Sequence, residues 1–267
     1  MRCARTTGCP ASPVQGTPPG QVSPDGRWVW NGAQWVPNAH MQVRQPPKPY
    51  ESGRYRSTFV VIFLALNGLA LVLAVVIDII LIALGGSFNA AGSTTEIAIG
   101  FFALVVLLLL YGSLIPAVVF FCMWVHRIVR NMPWIGASDP RWTPGGAVGR
   151  CFIPFLNLVH PFLSVVDVWR ASDPTQLRAE QPIRNARAAP VLLVAWWALY
   201  IGGRLASLIS SRLVNSNDSG TVVVGAFFDL LVNVAIAGAA VLAILVVRTV
   251  TARQDAKWEL ISTGRLS

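Results

Sequence analysis

The sequence predicts an all-α polytopic membrane protein. It has four transmembrane helices, a Pro-broken helical segment that re-enters the bilayer or lies along its interface, and a small β-hairpin in a disordered N-terminal tail. Three observations carry that prediction. Four apolar runs each exceed the roughly 20 residues that span a bilayer's hydrocarbon core. Only 12% of the 267 residues are charged and the mean hydropathy is +0.56, whereas a soluble domain carries about 25% charge. Lys and Arg cluster beside alternate ends of the runs, the pattern that orients membrane helices.

Residues 1–26 are rich in Pro, Gly, Ser and Thr and predict disorder. "GRWVWNGAQWVP" follows. Asn31-Gly32 is a two-residue turn signal, because both positions favour positive φ. That register sets Trp30 opposite Ala33 and Trp28 opposite Trp35, and puts Trp28, Trp30 and Trp35 on one side of the ribbon. A lone hairpin is marginal in water. Either the rings stack on one another, or they meet a membrane surface, a partner protein or a sugar. "SPDGRWVWNGAQWVP" also resembles a short Trp-rich motif that often precedes membrane segments in actinobacterial proteins. Residues 37–57, with Pro46, Pro47 and Pro49, read as linker, completing a cytoplasmic tail over 1–57.

The membrane domain spans 58–250, with helices expected over about 58–84, 97–125, 190–213 and 222–247, and a second tail over 251–267. Arg44, Lys48, Arg54 and Arg56 precede the first run; Arg127, Arg130, Arg141 and Arg150 follow the second. Arg170, Arg178, Arg184 and Arg187 precede the third; Arg248, Arg253, Lys257 and Arg265 follow the fourth. The connections after the first and third runs hold no Lys or Arg. Both termini should therefore be cytoplasmic. No signal peptide is read before the first run.

"CFIPFLNLVHPF", Cys151–Phe162, sits between basic flanks inside the broken segment at about 147–172. A single crossing there would export Arg178, Arg184 and Arg187, and Pro154 and Pro161 interrupt any straight helix. The segment should enter and return on the cytoplasmic side, or lie along it. After Pro161, the residues Phe162, Val165, Val166 and Trp169 share one face, with Ser164, Asp167 and Arg170 on another, as in an interfacial helix.

Three runs carry lone deep charges: Asp78, Arg204 and Asp229. In the assigned topology all three lie in the outer half at similar depth. Facing lipid would cost each about 2.5–3.5 kcal/mol, which predicts a cluster inside the bundle, either structural or a proton or ion relay. Trp124, Arg127 and Asn131 fall on one helical stripe at the cytoplasmic end of the second run. There Arg127 could bond carbonyls freed by Pro154 and Pro161, or a lipid phosphate.

The stretches "FCMWVHRIVRN" and "PGGAVGRCFIPFLNLVHPFLSVVDVWRASDP" resemble the bacterial family called domain of unknown function 4328. The resemblance covers roughly 58–250 and rests on Trp124, Arg127, Asn131, Pro154, Phe155, Asn157, Leu158, Pro161, Trp169, Arg170, Ala171 and Ser172. Cys151 and Phe152 stand where the family often has an aromatic pair, and Gly146 where it often has Trp. The resemblance implies a polytopic membrane protein and supplies no activity.

No cofactor is called for. Cys3 and Cys9 lack the partners of a zinc site, and all four cysteines read as unpaired thiols. His40, His126 and His160 are the only histidines, and no catalytic motif appears. The +9 net charge is spread over several segments, which argues against nucleic acid and for anionic lipid head groups. The leading expectation, with the resemblance, is a non-enzymatic bacterial inner-membrane protein that scaffolds or senses, with its cytoplasmic tail as a partner-binding arm. The alternatives are a small transporter or channel component built on the broken segment and the charge cluster, and, more weakly, an intramembrane enzyme.

Overall fold

A computed structural model describes residues 20, 21, 23, 28–37, 49–85, 94–137, 141–174 and 189–265. The disorder expected over 1–26 falls almost wholly outside these residues. The chain divides into two units, Met1–Pro49 and Tyr50–Ser267.

The first unit holds a hairpin of β1 (Trp28–Trp30) and β2 (Trp35–Pro37). Its register corrects the expected one. Trp30 pairs with Trp35, Val29 with Val36 and Trp28 with Pro37, across a four-residue loop. The loop is longer because the Asn31 side chain acts as a local acceptor. Its Oδ1 takes the N–H groups of Ala33 (2.9 Å) and Gln34 (2.8 Å), an Asx turn that competes with the tighter connection. Trp30 and Trp35 meet edge to face at 5.7 Å. Trp30 also exchanges backbone hydrogen bonds with Gly20 and Gln21.

The second unit contains α1 (Arg54–Ala83), α2 (Thr94–Arg130), α3 (Pro144–Gly149), α4 (His160–Ala171), α5 (Val191–Val214) and α6 (Ser219–Ser262). Short 3₁₀ turns lie at Met132–Ile135, Arg150–Phe152 and Leu156–Leu158. The helices α1, α2, α5 and α6 are long and apolar enough to cross a membrane. Hydrocarbon offers no partner for a backbone amide, so such runs close their hydrogen bonds internally as helix. Each apolar run coincides with a helix to within one residue at an end or lies inside it, and α2 and α6 continue well beyond theirs. At 1.5 Å per residue, α6 is about 66 Å long, roughly twice a hydrocarbon core. Asp218 starts α6 as an N-cap, its Oδ2 accepting from Thr221 N (2.8 Å) and Thr221 Oγ1 (2.7 Å).

The spans lie side by side in the order α5–α6–α1–α2. The α5–α6 turn is close: a methyl on Gly225 would stand 2.6 Å from the Val214 amide nitrogen. Large apolar side chains remain exposed along every span, among them Val72, Leu108, Leu208 and Val241. That exposure suits contact with lipid, not water. The buried core lies toward one end, where Trp124, Ile128, Val165, Leu193 and Val246 pack together. This end gathers Arg54, Arg56, Arg127, Arg130 and Arg253, and is called the basic end below.

Residues 141–172 start and finish at the basic end without crossing the bundle. Arg141 Nε meets Asp167 at 3.1 Å, and the Ala171 carbonyl accepts from Lys257 Nζ at 2.7 Å. The amphipathic reading of α4 needs correction. Ser164 and Asp167, expected on its polar face, are 2% and 3% exposed. Arg141 closes over Asp167, so that face is buried under the preceding loop and does not meet water.

Candidate functional site

Three polar constellations lie within the second unit. The first locks the basic end. Trp124 is fully buried, and its Nε1 donates to Thr251 Oγ1 at 3.0 Å. Asn131, seven residues or about two turns onward on the same stripe, donates from Nδ2 to the Glu51 carbonyl (2.8 Å) and to Gln254 Oε1 (3.1 Å). Gln254 Nε2 returns a bond to the Ile128 carbonyl at 3.0 Å. Arg127 does not reach the broken segment. It pairs with Glu51 at 2.5 Å, beside Arg56 at 3.3 Å. The Leu158 carbonyl, just before Pro161, accepts instead from Trp197 Nε1 at 2.8 Å. Residues 50–53, inside the stretch read as linker, dock on α6: the Tyr50 hydroxyl, Ser52 and Arg54 all converge on Asp255. Trp169 lies under the Arg253 guanidinium at 4.6 Å. Arg170 sits one residue on, near the end of α4, half-buried.

Burial alone would raise the Glu51 pKa, but the Arg56 and Arg127 guanidinium groups outweigh it and hold the carboxyl below its ordinary 4.5. A depressed folded pKa contributes stability that is present above the unfolded value and lost as pH falls through the folded one. Acidification below about 4.5 should therefore lower the melting temperature of the native protein more than that of Glu51→Gln. Parallel acid limbs for the two proteins in a detergent melting series would refute this role of Glu51.

The second constellation lies in the half of the bundle away from the basic end. Asn233 Nδ2 donates to Asp78 Oδ2 at 2.9 Å and lies 3.4 Å from Asp229 Oδ2. Ser210 Oγ donates to Asp229 Oδ1 at 2.7 Å. Asp78 and Asp229 thus meet around an amide. Arg204 does not join them: it is exposed, and it makes no ion pair among the described residues. On α5 the buried stripe is Trp196, Gly203 and Ser210, spaced by seven. Arg204 stands one residue round, about 100° off that stripe. Its long side chain can extend toward a polar interface, so lipid-facing placement is tolerated.

The third is a cavity of about 190 Å³ between all four spans and the broken segment. Leu64 and Asn67 of α1, Phe121 and Cys122 of α2, Trp196 and Trp197 of α5, and Ala239 and Ala243 of α6 contribute to its wall. Cys151, Phe152, Asn157 and Pro161 close it from the broken segment. Of its lining residues, Val118 on α2, Phe152 and Asn157 on the broken segment and Tyr200 on α5 are exposed. Asn67 Nδ2 bridges α1 to α2 through the Leu110 carbonyl (3.0 Å) and Ser113 Oγ (3.2 Å).

Beyond the cavity the broken segment turns sharply. Phe155 has φ 65° and ψ −42°, and Leu156 N bonds the Pro154 carbonyl at 2.8 Å. This is a γ-turn of the strained hand, costing on the order of 1–3 kcal/mol for a side-chain-bearing residue. Phe155 itself is 84% exposed, with Phe152, Ile153, Leu158 and Val159 also exposed. The segment therefore presents an apolar apex.

The sequence singled out Trp124, Arg127, Asn131, Asn157, Pro161, Asp78 and Asp229 but missed their partners. Glu51, Asn233, Ser210, Gln254 and Lys257 carry no motif. Cys122 and Cys151 are free thiols, as expected, and what the sequence does not show is that both line the same cavity. A polar residue within an apolar run, such as Asn67 or Asn233, was the available signal.

Four lipid-suited spans, a segment that returns to its own side and a cavity between them define a multi-pass membrane protein with a helical bundle core. The chain belongs to the family described as Domain of unknown function (DUF4328), whose model matches residues 87–252. That match includes α2 to α5 and most of α6 but not α1, and so covers less than the 58–250 that the motifs suggested. No curated protein and no solved structure matches the chain.

Proposed function

We propose that this is a non-enzymatic sensor or scaffold of the bacterial inner membrane that holds one amphiphile from the bilayer in the cavity between its spans. The observation that carries the reading is the cavity's mouth. Its exposed lining side chains are Val118, Phe152 and Tyr200, with one polar neighbour, Asn157, so a lipid-like tail could enter sideways between α2 and α5 without crossing water. The basic end faces the cytoplasm in this reading, with anionic head groups near Arg56 and Arg130. The N-terminal hairpin serves as an arm for a protein partner.

A membrane-reconstituted sample with a tail-diazirine fatty acid tests the cavity. Illumination should label peptides containing Phe152 and Trp196. Val118→Trp, which blocks the mouth from an exposed position, should abolish that labelling while leaving the melting temperature unchanged. Equal labelling of both proteins would sink the reading. Orientation is tested in cells: Ala90→Cys should react with an impermeant maleimide from outside, and Glu180→Cys only after permeabilisation. The reverse pattern would invert the topology.

A transporter remains the second reading, favoured by the broken segment at the cavity wall. Ion or solute flux in reconstituted vesicles, lost in Val118→Trp, would replace the first reading with this one.

A further inference from the structure

We propose that Cys122 and Cys151 form a dithiol that a lipid-soluble quinone, entering the cavity from the bilayer, oxidises to a disulfide. This rests on the cavity's taking an amphiphile, and it names the amphiphile's class.

The two sulfurs come from distant parts of the chain. Cys122 lies on α2, about 12 Å of helix rise from Arg130. Cys151 lies on the 3₁₀ turn after α3, where its thiol also donates to the Ala147 carbonyl at 3.4 Å. Both thiols are free and both line the one cavity, and each acts electrostatically on the other. Cys122 is buried and Cys151 half-buried. A reagent therefore reaches the pair through the cavity. The mouth is set among side chains suited to hydrocarbon, so a charged, water-soluble disulfide is a poor oxidant here. An oxidant must partition into lipid.

The wall suits a flat ring. Phe121, Phe152, Trp196, Trp197 and Tyr200 surround the space with aromatic faces and edges. Asn67 spends its amide hydrogens on Leu110 and Ser113. The exposed side chain of Asn157 makes no hydrogen bond to another described residue and can donate to a ring carbonyl. A quinone combines a flat two-electron acceptor, two carbonyl acceptors and an apolar tail.

The step balances. Two S–H bonds break and one S–S bond forms. Two electrons and two protons pass to the quinone, whose two carbonyls become the hydroxyls of a hydroquinone. Sulfur reacts as the thiolate, so each thiol gives up its proton to a quinone carbonyl oxygen as the S–S bond forms. A disulfide bond is about 2.05 Å long, shorter than any contact between thiols. Its formation draws the broken segment, and the strained turn at Phe155, toward α2. The oxidation state of the membrane's quinone pool would thus be written into the shape of the cavity.

The test uses the full chain with Cys3→Ser and Cys9→Ser, in lipid nanodiscs without oxygen. A benzoquinone with a decyl tail is added. Absorbance follows hydroquinone formation, and a maleimide mass tag on the denatured chain counts free thiols. The expected result is one quinone reduced per chain with loss of both tags, and no hydroquinone when either Cys122→Ser or Cys151→Ser is added. Two tags retained after quinone would overturn the proposal, even if diamide joins the pair, since the thiols would then be reactive but not to quinone. Two tags retained after both reagents would overturn it as well, leaving two small apolar side chains in contact. Fatty-acid labelling that persists alongside either failure would leave the amphiphile cavity standing; loss of that labelling would remove both readings together.

Discussion

Trp124→Ala should destabilise the bundle by about 3–5 kcal/mol, the usual cost of emptying a buried aromatic site. Trp124 is fully buried among Val60, Ile128 and Phe121, where α1, α2 and α6 converge. Two contributions can be separated. Trp124→Phe keeps most of the packing and gives up the bond to Thr251, so it should cost about 1 kcal/mol. Thr251→Val should cost a similar amount, because it leaves the indole N–H buried without its partner. Denaturant unfolding in a fixed detergent would resolve the series. If Trp124→Ala fell within 1 kcal/mol of Trp124→Phe, the packing argument would fail, and the basic end would be held by its polar bonds alone.

Asn233→Leu is the second substitution with a large expected effect. It strips the bridging donor from Asp78, which is 6% exposed, and leaves that carboxyl group without a partner in apolar surroundings. An unsatisfied buried polar group costs about 1–3 kcal/mol, and more when it is charged. Adding Asp78→Leu should restore part of the loss, because an apolar pair of similar volume no longer requires the bond. Ser210→Ala should act separately, on Asp229. Arg204→Leu should change stability little, since its side chain is exposed on α5. If Asn233→Leu and Asp78→Leu were strictly additive, the amide would not be coupled to Asp78.

The extents of the spans and the return of the 141–172 segment follow from the sequence because each depends on local quantities. Run length measured against the hydrocarbon thickness sets the first. The two prolines and the basic flanks set the second. The lone charges Asp78 and Asp229 were legible for the same reason: a charged group in an apolar run needs something polar nearby. Trp124 and Asn131 were legible as a stripe, since helical spacing fixes which residues share a face.

What that stripe touches was not legible. Helix rotation about its own axis decides it, and the apolar pattern here is nearly uniform around each span, so periodicity gives no preferred face. Rotation of α5 turns Ser210, not Arg204, toward Asp229. Docking of residues 50–53 on α6 hands Arg127 to Glu51, while Trp197 takes the Leu158 carbonyl. The hairpin register turned on one side chain, Asn31, folding back on its own backbone. The arrival of Cys122 and Cys151 at one cavity needs the broken segment to lie beside α2 at a particular height, which no spacing in the chain encodes. The sequence by itself determined that four helices are long and apolar enough to cross a membrane and that prolines break the segment between the second and the third. Only the tertiary structure decided which polar groups meet, because in a bundle of apolar helices those meetings depend on rotations and depths set by packing of the whole.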